Sequence, residues 1–403
     1  MTTTAALDPF APTVRGIDEP DPVRADLRTA GPLVRAEAPA GGPVWIVTDD
    51  ALARAVLTDP RVVKDTAWAP ESWDPRVAGL EPPASAVPSL TTCEGPAHAR
   101  LRQAHAPLLG ARRLREHYGR MTGHARELLA AAAVGGTVDL AADFTPRYPL
   151  VVLLDLLGVP LDRVDEALAA CRGMFAGPEA MGRAMGAFDE IAAAALVDGR
   201  DGPKRVLGSS AAAEQGGDPQ VGTLAVELRD RLPDELTAEQ VRYLLFGLIF
   251  PGQLTTDPAL GFVLADLLTG DGPTDPDDLV RQALRRHPPA PFTLWRFTAE
   301  EVELAGVTLP ARSPVLIDVL GIGTSGDGSG PDLSFGAGPH YCMGAQLAAL
   351  ELRAVVEVVR TDFPDARLAV PRSALRVVCP GGIGGSRLAA LPVDLQGGRP
   401  DVE

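Results

Sequence analysis

Residues Phe335 to Gly344 read FGAGPHYCMG, with a phenylalanine seven positions before Cys342, a glycine four before, a histidine two before and a glycine two after. Such a constellation is far more specific than a lone cysteine. A Gly-rich turn entering a helix near Gly344 aims backbone N–H groups and the positive end of the helix dipole at the sulfur, which favours the thiolate. Gly338 and Gly344 also let the backbone approach a large planar cofactor, and Phe335 can shield the sulfur from water. Cys342 is therefore a candidate metal ligand. The plainer alternative is a structural cysteine buried in a Gly-rich turn. Cys93, Cys171 and Cys379 lie at scattered spacings with no CxxC pair, which speaks against a disulfide framework or a zinc ribbon.

The chain around this motif has 403 residues, 46% hydrophobic and 22% charged, enough for one large core or two smaller ones. A formal charge of −16 argues against broad attachment to nucleic acid or to an anionic membrane surface. The longest apolar runs, such as Leu244 to Phe250, are too short to span a bilayer, and the first residues carry no basic-then-apolar leader, so a cytoplasmic location is expected.

Residues to about 30 are Pro- and Asp-rich without periodicity and read as an arm over the surface. Leu33 to Ala36 and Val44 to Val47, parted by a Gly/Pro turn, suggest a hairpin. Helical patterns follow from Asp50 and over roughly 98–134 and 161–199. Gly202 to Gly222 looks like a loose connection. Thr237 with Gln240 three residues on forms a capping box, opening a helix that should run toward Gly270. Another starts at Asp275 with Pro276 in its first turn and stops at His287 before two prolines. Strand-like runs at Val302 to Leu304 and Pro314 to Val319 precede a Gly/Ser/Asp-rich stretch, Gly321 to Gly330. A last helix covers about Gly344 to Val359. The expected fold is mostly α with a minor β region, one domain over 1–403.

The cysteine stretch closely resembles the haem-binding loop of cytochromes P450, and the likeness extends over nearly the whole chain. It implies the P450 fold, with Cys342 as thiolate ligand to the iron of haem b (iron protoporphyrin IX). It also implies that His340, His98 and Arg102 of GPAHARLR, and Arg296 of LWRFTAEEVEL hydrogen-bond the propionates. The helix from Thr237 would cross the oxygen-binding face, with Thr255 at the threonine that positions water. Phe250, Gly252, Ala290, Phe292, Leu294 and Ile383 would approach the substrate pocket. The resemblance implies a ferredoxin and ferredoxin reductase as electron donors and a small-molecule substrate from natural-product biosynthesis, apolar in character.

Three departures stand against the pattern. Leu254 occupies the place of the acid that usually precedes the threonine, and an aliphatic side chain cannot relay protons; Gln253, ordered water or a substrate group would have to substitute. Pro251 and Pro258 flank the same site, each removing an N–H and freeing the carbonyl four residues back, so a kink is expected there. The ExxR signature reads Gln282-Ala283-Leu284-Arg285, leaving the arginine without its usual carboxylate. Between Val315 and Phe335 the chain is roughly fifteen to twenty residues shorter than the family's meander. Hydroxylation or oxidative ring formation is the leading expectation; a redox-neutral cyclisation, isomerisation or dehydration, or a catalytically silent partner protein, are the alternatives.

Overall fold

The computed structural model describes residues 8–79, 87–197, 223–270, 272–325 and 332–396. The helices are α1 (Pro22–Ala30), α2 (Asp50–Thr58), α3 (Gly95–His105), α4 (Ala111–Ala132), α5 (Leu140–Asp143), α6 (Tyr148–Leu157), α7 (Val164–Gly173), α8 (Pro178–Ala195), α9 (Leu224–Arg229), α10 (Ala238–Thr269), α11 (Pro276–Arg286), α12 (Val319–Thr324) and α13 (Ala345–Asp362). The strands are short: β1 (Thr13–Gly16), β2 (Leu33–Glu37), β3 (Pro43–Val47), β4 (Val62–Val63), β5 (Thr137–Asp139), β6 (Arg296–Thr298), β7 (Val302–Leu304), β8 (Val307–Leu309), β9 (Pro314–Ile317), β10 (Arg367–Leu368), β11 (Arg376–Cys379), β12 (Arg387–Leu388) and β13 (Pro392–Asp394). The mostly helical expectation holds.

Helix α10 is the axis of the molecule. Thr237 and Gln240 form the reciprocal capping box at its start, and Gly270 ends it in the left-handed region at φ 73°. It packs against α6, α8, α11 and α13, and its apolar residues join the largest core cluster. The helical span runs past Pro251 and Pro258 without a break, although each proline removes one ladder N–H.

The predicted hairpin is present: β2 and β3 pair antiparallel, Val34 opposite Ile46. Its second strand pairs in parallel with β9, giving a five-stranded sheet in the order β2-β3-β9-β6-β4. In this sheet the strand that carries Arg296, β6, lies between β4 and β9.

Several expectations are corrected. Over residues 8–30 the chain is not an unstructured arm over the surface: β1 pairs with β11, and α1 is a capped helix whose Arg24 forms a buried ion pair with Asp318, 2.8 Å apart. The reason is tertiary pairing, which short-range periodicity does not reveal. The segment over 98–134 is two helices, broken where Pro107 and Gly110 interrupt the ladder. That over 161–199 is also broken, at Gly177 (φ 100°) ahead of Pro178. Part of the Gly/Ser/Asp-rich stretch is helical, because the Asp318 side chain accepts from the Gly321 N–H and caps α12. Residues 326–331 and the expected connection over 202–222 lie outside the described residues.

Candidate functional site

The cysteine loop is held shut by its own backbone. Cys342 N–H donates to the Phe335 carbonyl, 2.9 Å, and Tyr341 N–H to that of Gly338, 3.0 Å. Gly338 has φ 70°, and a Cβ there would stand 2.7 Å from the Leu57 carbonyl at the end of α2, so glycine is required on both counts. Phe335 packs beneath the loop against the main core, 6.4 Å from the Tyr341 ring. Arg102 of α3 reaches across to donate to the Tyr341 carbonyl, 2.8 Å. Gly344 then caps α13, the helix that leads away from the sulfur.

Cys342 has exposed surface yet is ringed by protein atoms. Burial pushes its thiol above the ordinary value; the N–H groups of Gly344 and Ala345 and the charges of Lys64 and Arg102 pull the other way without prevailing. The turn's N–H groups favour the thiolate as expected, but they do not offset its burial. A thiolate at this position needs a further positive charge, which a bound metal supplies.

Beside the loop sits a cluster of cationic groups with too few acids. The rings of His98 and His340 stack with centroids 3.9 Å apart. His340 Nε2 meets Glu94 Oε2 at 3.1 Å, and the other Glu94 oxygen accepts the Lys64 backbone N–H, 2.5 Å. Arg296 is buried on β6, with Nη1 donating to the Val62 carbonyl, 3.4 Å. Three nitrogens remain buried without a partner: His98 Nε2, His340 Nδ1 and Arg296 Nε. Burial and then the adjacent His340 and Arg102 hold His98 down at about 4; burial and then Arg296 hold Lys64 down at about 7; burial brings Arg296 to about 10. Glu94 alone cannot satisfy this group. The set is built for a ligand that brings carboxylates of its own. Among the described residues, no three His, Cys, Asp or Glu side chains gather to hold a metal, so a metal on Cys342 must bring its other ligands with it. A propionate-bearing iron macrocycle meets both demands. Lys64 was missed from the sequence, where it is a solitary lysine in a Pro- and Asp-rich stretch with no motif around it.

The second part of the site lies on α10. Gly247, Pro251, Leu254 and Pro258 fall within an arc of about 60°, and none is buried, whereas Ile249, Gln253, Thr256 and Leu260 on the other side are. Leu254 is 39% exposed in the middle of a helix most of whose apolar residues are buried. Thr255 flanks this open stripe and its hydroxyl donates to the Pro251 carbonyl, 2.9 Å. Gln253 does not share it. Only 5% exposed, its amide faces the Pro146 carbonyl and Asp257, each at 3.4 Å. Asp257 in turn accepts from Thr145 Oγ1 (2.6 Å) and lies 3.5 Å from Arg387. Next to Thr255, the Thr256 hydroxyl points to Glu351 of α13, 3.4 Å, whose carboxyl burial lifts to about 8 and whose second oxygen has no partner.

The substrate-facing expectations divide. Leu294 is 37% exposed between α11 and β6, and Ala290 is half-buried nearby. Ile383 packs beside the same segment, in a loop that turns at Gly381 (φ 86°) and runs against Pro289 at Gly385, where a Cβ would overlap the Pro289 carbonyl. Phe250 is buried in an aromatic stack with Phe246, 5.5 Å, and Phe175, 5.9 Å. Gly252 meets Leu153 of α6, 2.9 Å from where a Cβ would be, so its smallness serves helix packing. Phe292 is corrected: 1% exposed, it is clasped between Phe10 and the Arg24 guanidinium and offers no surface to a ligand.

A single thiol at a glycine-shaped helix entry, a carboxylate-seeking cationic rim and a long central helix with an open stripe are the features of one class, the haem-thiolate proteins. The chain is 40% identical to cytochrome P-450 monooxygenase DoxA of Streptomyces sp. strain C5, over 97% of this chain and 98% of that one. It is 29% identical to mycinamicin IV hydroxylase/epoxidase of Micromonospora griseorubida, covering 87% and 90%. Among solved structures, testosterone-bound CYP154C4 from Streptomyces sp. ATCC 11861 superposes with a TM-score of 0.77 at 28% identity, covering 98% and 99%. No protein-family model matches the sequence. The chain belongs to the cytochrome P450 family, in its bacterial form, and is an enzyme of the P450 oxidoreductase type. The alignment with the strain C5 protein runs to 422 positions while taking in 97% of these 403 residues, about 391, so some 31 positions have no residue here. No helix among the described residues is long and apolar enough to cross a membrane.

Proposed function

We propose that the protein is a haem b oxygenase of natural-product biosynthesis, hydroxylating an aliphatic or polycyclic intermediate or closing a ring on it oxidatively, in the cytoplasm and with electrons from a ferredoxin and its reductase. The observation that carries this reading is the pairing of Cys342 with three buried, unpartnered nitrogens on His98, His340 and Arg296. These residues, with Lys64 and Arg102, would hold the two propionates, and Cys342 the iron. When bound, haem supplies the oxygen chemistry: a substrate C–H, dioxygen, two electrons and two protons give C–OH and water.

The chain's own residues do the rest. Leu254 and Leu294 present apolar surface to the substrate, and Phe250 backs that wall from the aromatic stack. Thr255, its proton engaged by the Pro251 carbonyl, keeps lone pairs free to hold a water. Gln253 faces away from the stripe, so proton delivery falls to water and to the substrate's own groups. The redox-neutral alternative rests on Leu254, an aliphatic residue on the open face where an acid would be expected.

The test is incubation of the haem-loaded protein with a candidate intermediate, with and without dioxygen and reductant. Oxygenase function requires product only when both are present and a thiolate-type carbon monoxide spectrum. Equal yield under argon without reductant would establish the redox-neutral reading instead.

A further inference from the structure

The open stripe of α10 contains an unusual economy of donors. Gly247, Pro251, Leu254 and Pro258 have no polar side chain, and the Thr255 hydroxyl proton is already given to the Pro251 carbonyl at 2.9 Å. In an α-helix the carbonyl of residue i accepts from the N–H of residue i+4. Proline has no N–H, so the ladder supplies nothing to the carbonyls of Gly247 and Leu254. Each of these oxygens lies between an unburied residue and the unburied proline one turn on, on the side where the helix is uncovered. A carbonyl left without a donor in an apolar setting is costly unless a ligand or water completes it.

We propose that Pro251 and Pro258 make this stripe a two-point hydrogen-bond acceptor, the carbonyls of Gly247 and Leu254, which selects a ligand carrying two O–H or N–H donors about 10 Å apart. The spacing is seven residues along the helix axis at 1.5 Å each. Between the two points lies only apolar surface from Pro251 and Leu254, so the complementary molecule is a rigid, mostly hydrocarbon body with a hydroxyl or amine near each end. Molecules whose polar groups are ketones or ethers bring further acceptors to an acceptor face and are disfavoured. The inference rests on α10's open side being the substrate wall, as in the proposed function, and it narrows the substrate to a class.

The experiment is calorimetric titration of the haem-loaded protein with a matched pair of probes, 5α-androstane-3β,17β-diol and 5α-androstane-3,17-dione, which share one four-ring skeleton and differ in having hydroxyl donors or carbonyl acceptors at its ends. The diol is expected to bind roughly twenty-fold more tightly, about five-fold for each hydrogen bond. Pro251→Ala and Pro258→Ala each restore a ladder donor and should each remove about five-fold of that preference, the double variant all of it, with the diol losing more affinity than the dione in every case. Both substitutions favour the helix, so folding is not at stake. Equal binding of the two probes to the wild type, a preference that survives in the double variant, equal weakening of both probes, or no binding of either overturns the proposal. A carbon monoxide spectrum on the same samples separates the two readings: a thiolate-type band with no diol preference defeats only the acceptor pair, whereas its absence defeats the haem assignment beneath it.

Discussion

The cysteine loop and the open stripe of α10 are governed by opposite electrostatics. Around the loop, Lys64, His98, Arg102, Arg296 and His340 crowd against one carboxylate, Glu94, and several donors are left unpartnered. Along the stripe there is no charge, and the polar groups are backbone acceptors and one committed hydroxyl. The first region is over-supplied with what a doubly acidic prosthetic group needs; the second lacks what proton transfer to oxygen needs. Retention of the cofactor and its turnover are therefore separable properties of this molecule, and substitutions should be able to move one without the other.

The sharpest attempt to break that separation is Cys342→Ala. It should eliminate the thiolate-type absorption and all product, and retention of either would end the assignment of the iron ligand. Next comes Glu351→Gln. Burial raises this carboxyl from 4.5 to about 8, so the native protein holds a proton that the unfolded chain releases across that interval. Stability is full below the lower value and declines as pH rises toward 8. The glutamine variant lacks the decline, and its urea unfolding free energy should exceed the wild type's by an amount growing to ~4 kcal/mol at pH 8. A difference that stays flat with pH would show the group to be ionised in the fold. Lys64→Met, on the loop side, should speed haem transfer to excess apomyoglobin by ~10-fold while Lys64→Arg restores the slow rate. Smallest is Leu254→Asp: supplied with ferredoxin and reductase, product formed per electron should rise about two- to five-fold, and unchanged coupling would mean that position 254 does not limit proton supply.

Much of this was legible in the chain because it is local. A capping box is a four-residue pattern, and Thr237 with Gln240 marks the start of α10 without help from elsewhere. The spacing of FGAGPHYCMG likewise contains its own geometry, down to the glycine at 338. What could not be read depends on contacts between distant segments. Lys64 joins the site because it follows β4, which lies beside β6, and Glu94 because it meets the Lys64 N–H and His340; neither has a sequence context that announces it. Gln253 looked able to stand in for the absent acid, being adjacent to Leu254, but one residue turns the helix by about 100° and carries the amide to the buried side. Phe292 was misplaced for a similar reason, since its partners Phe10 and Arg24 lie about two thirds of the chain away. Arg285 and Gln282 keep their places on α11, while residues 326–331 of the shortened stretch are outside what the structure describes.

The buried pair of Arg24 and Asp318 joins positions 294 residues apart. On a ribosome adding about 5–20 residues per second, the guanidinium emerges some 15–60 s before its carboxylate exists. Throughout that interval Arg24 has no buried carboxylate to meet, and neither β1, whose partner is β11, nor the Phe292 clasp can form. Synthesis order thus runs against assembly order: a segment made well before its partners is secured only after them, and the nascent chain must be kept from aggregating until the region of Asp318 and β11 has left the exit tunnel.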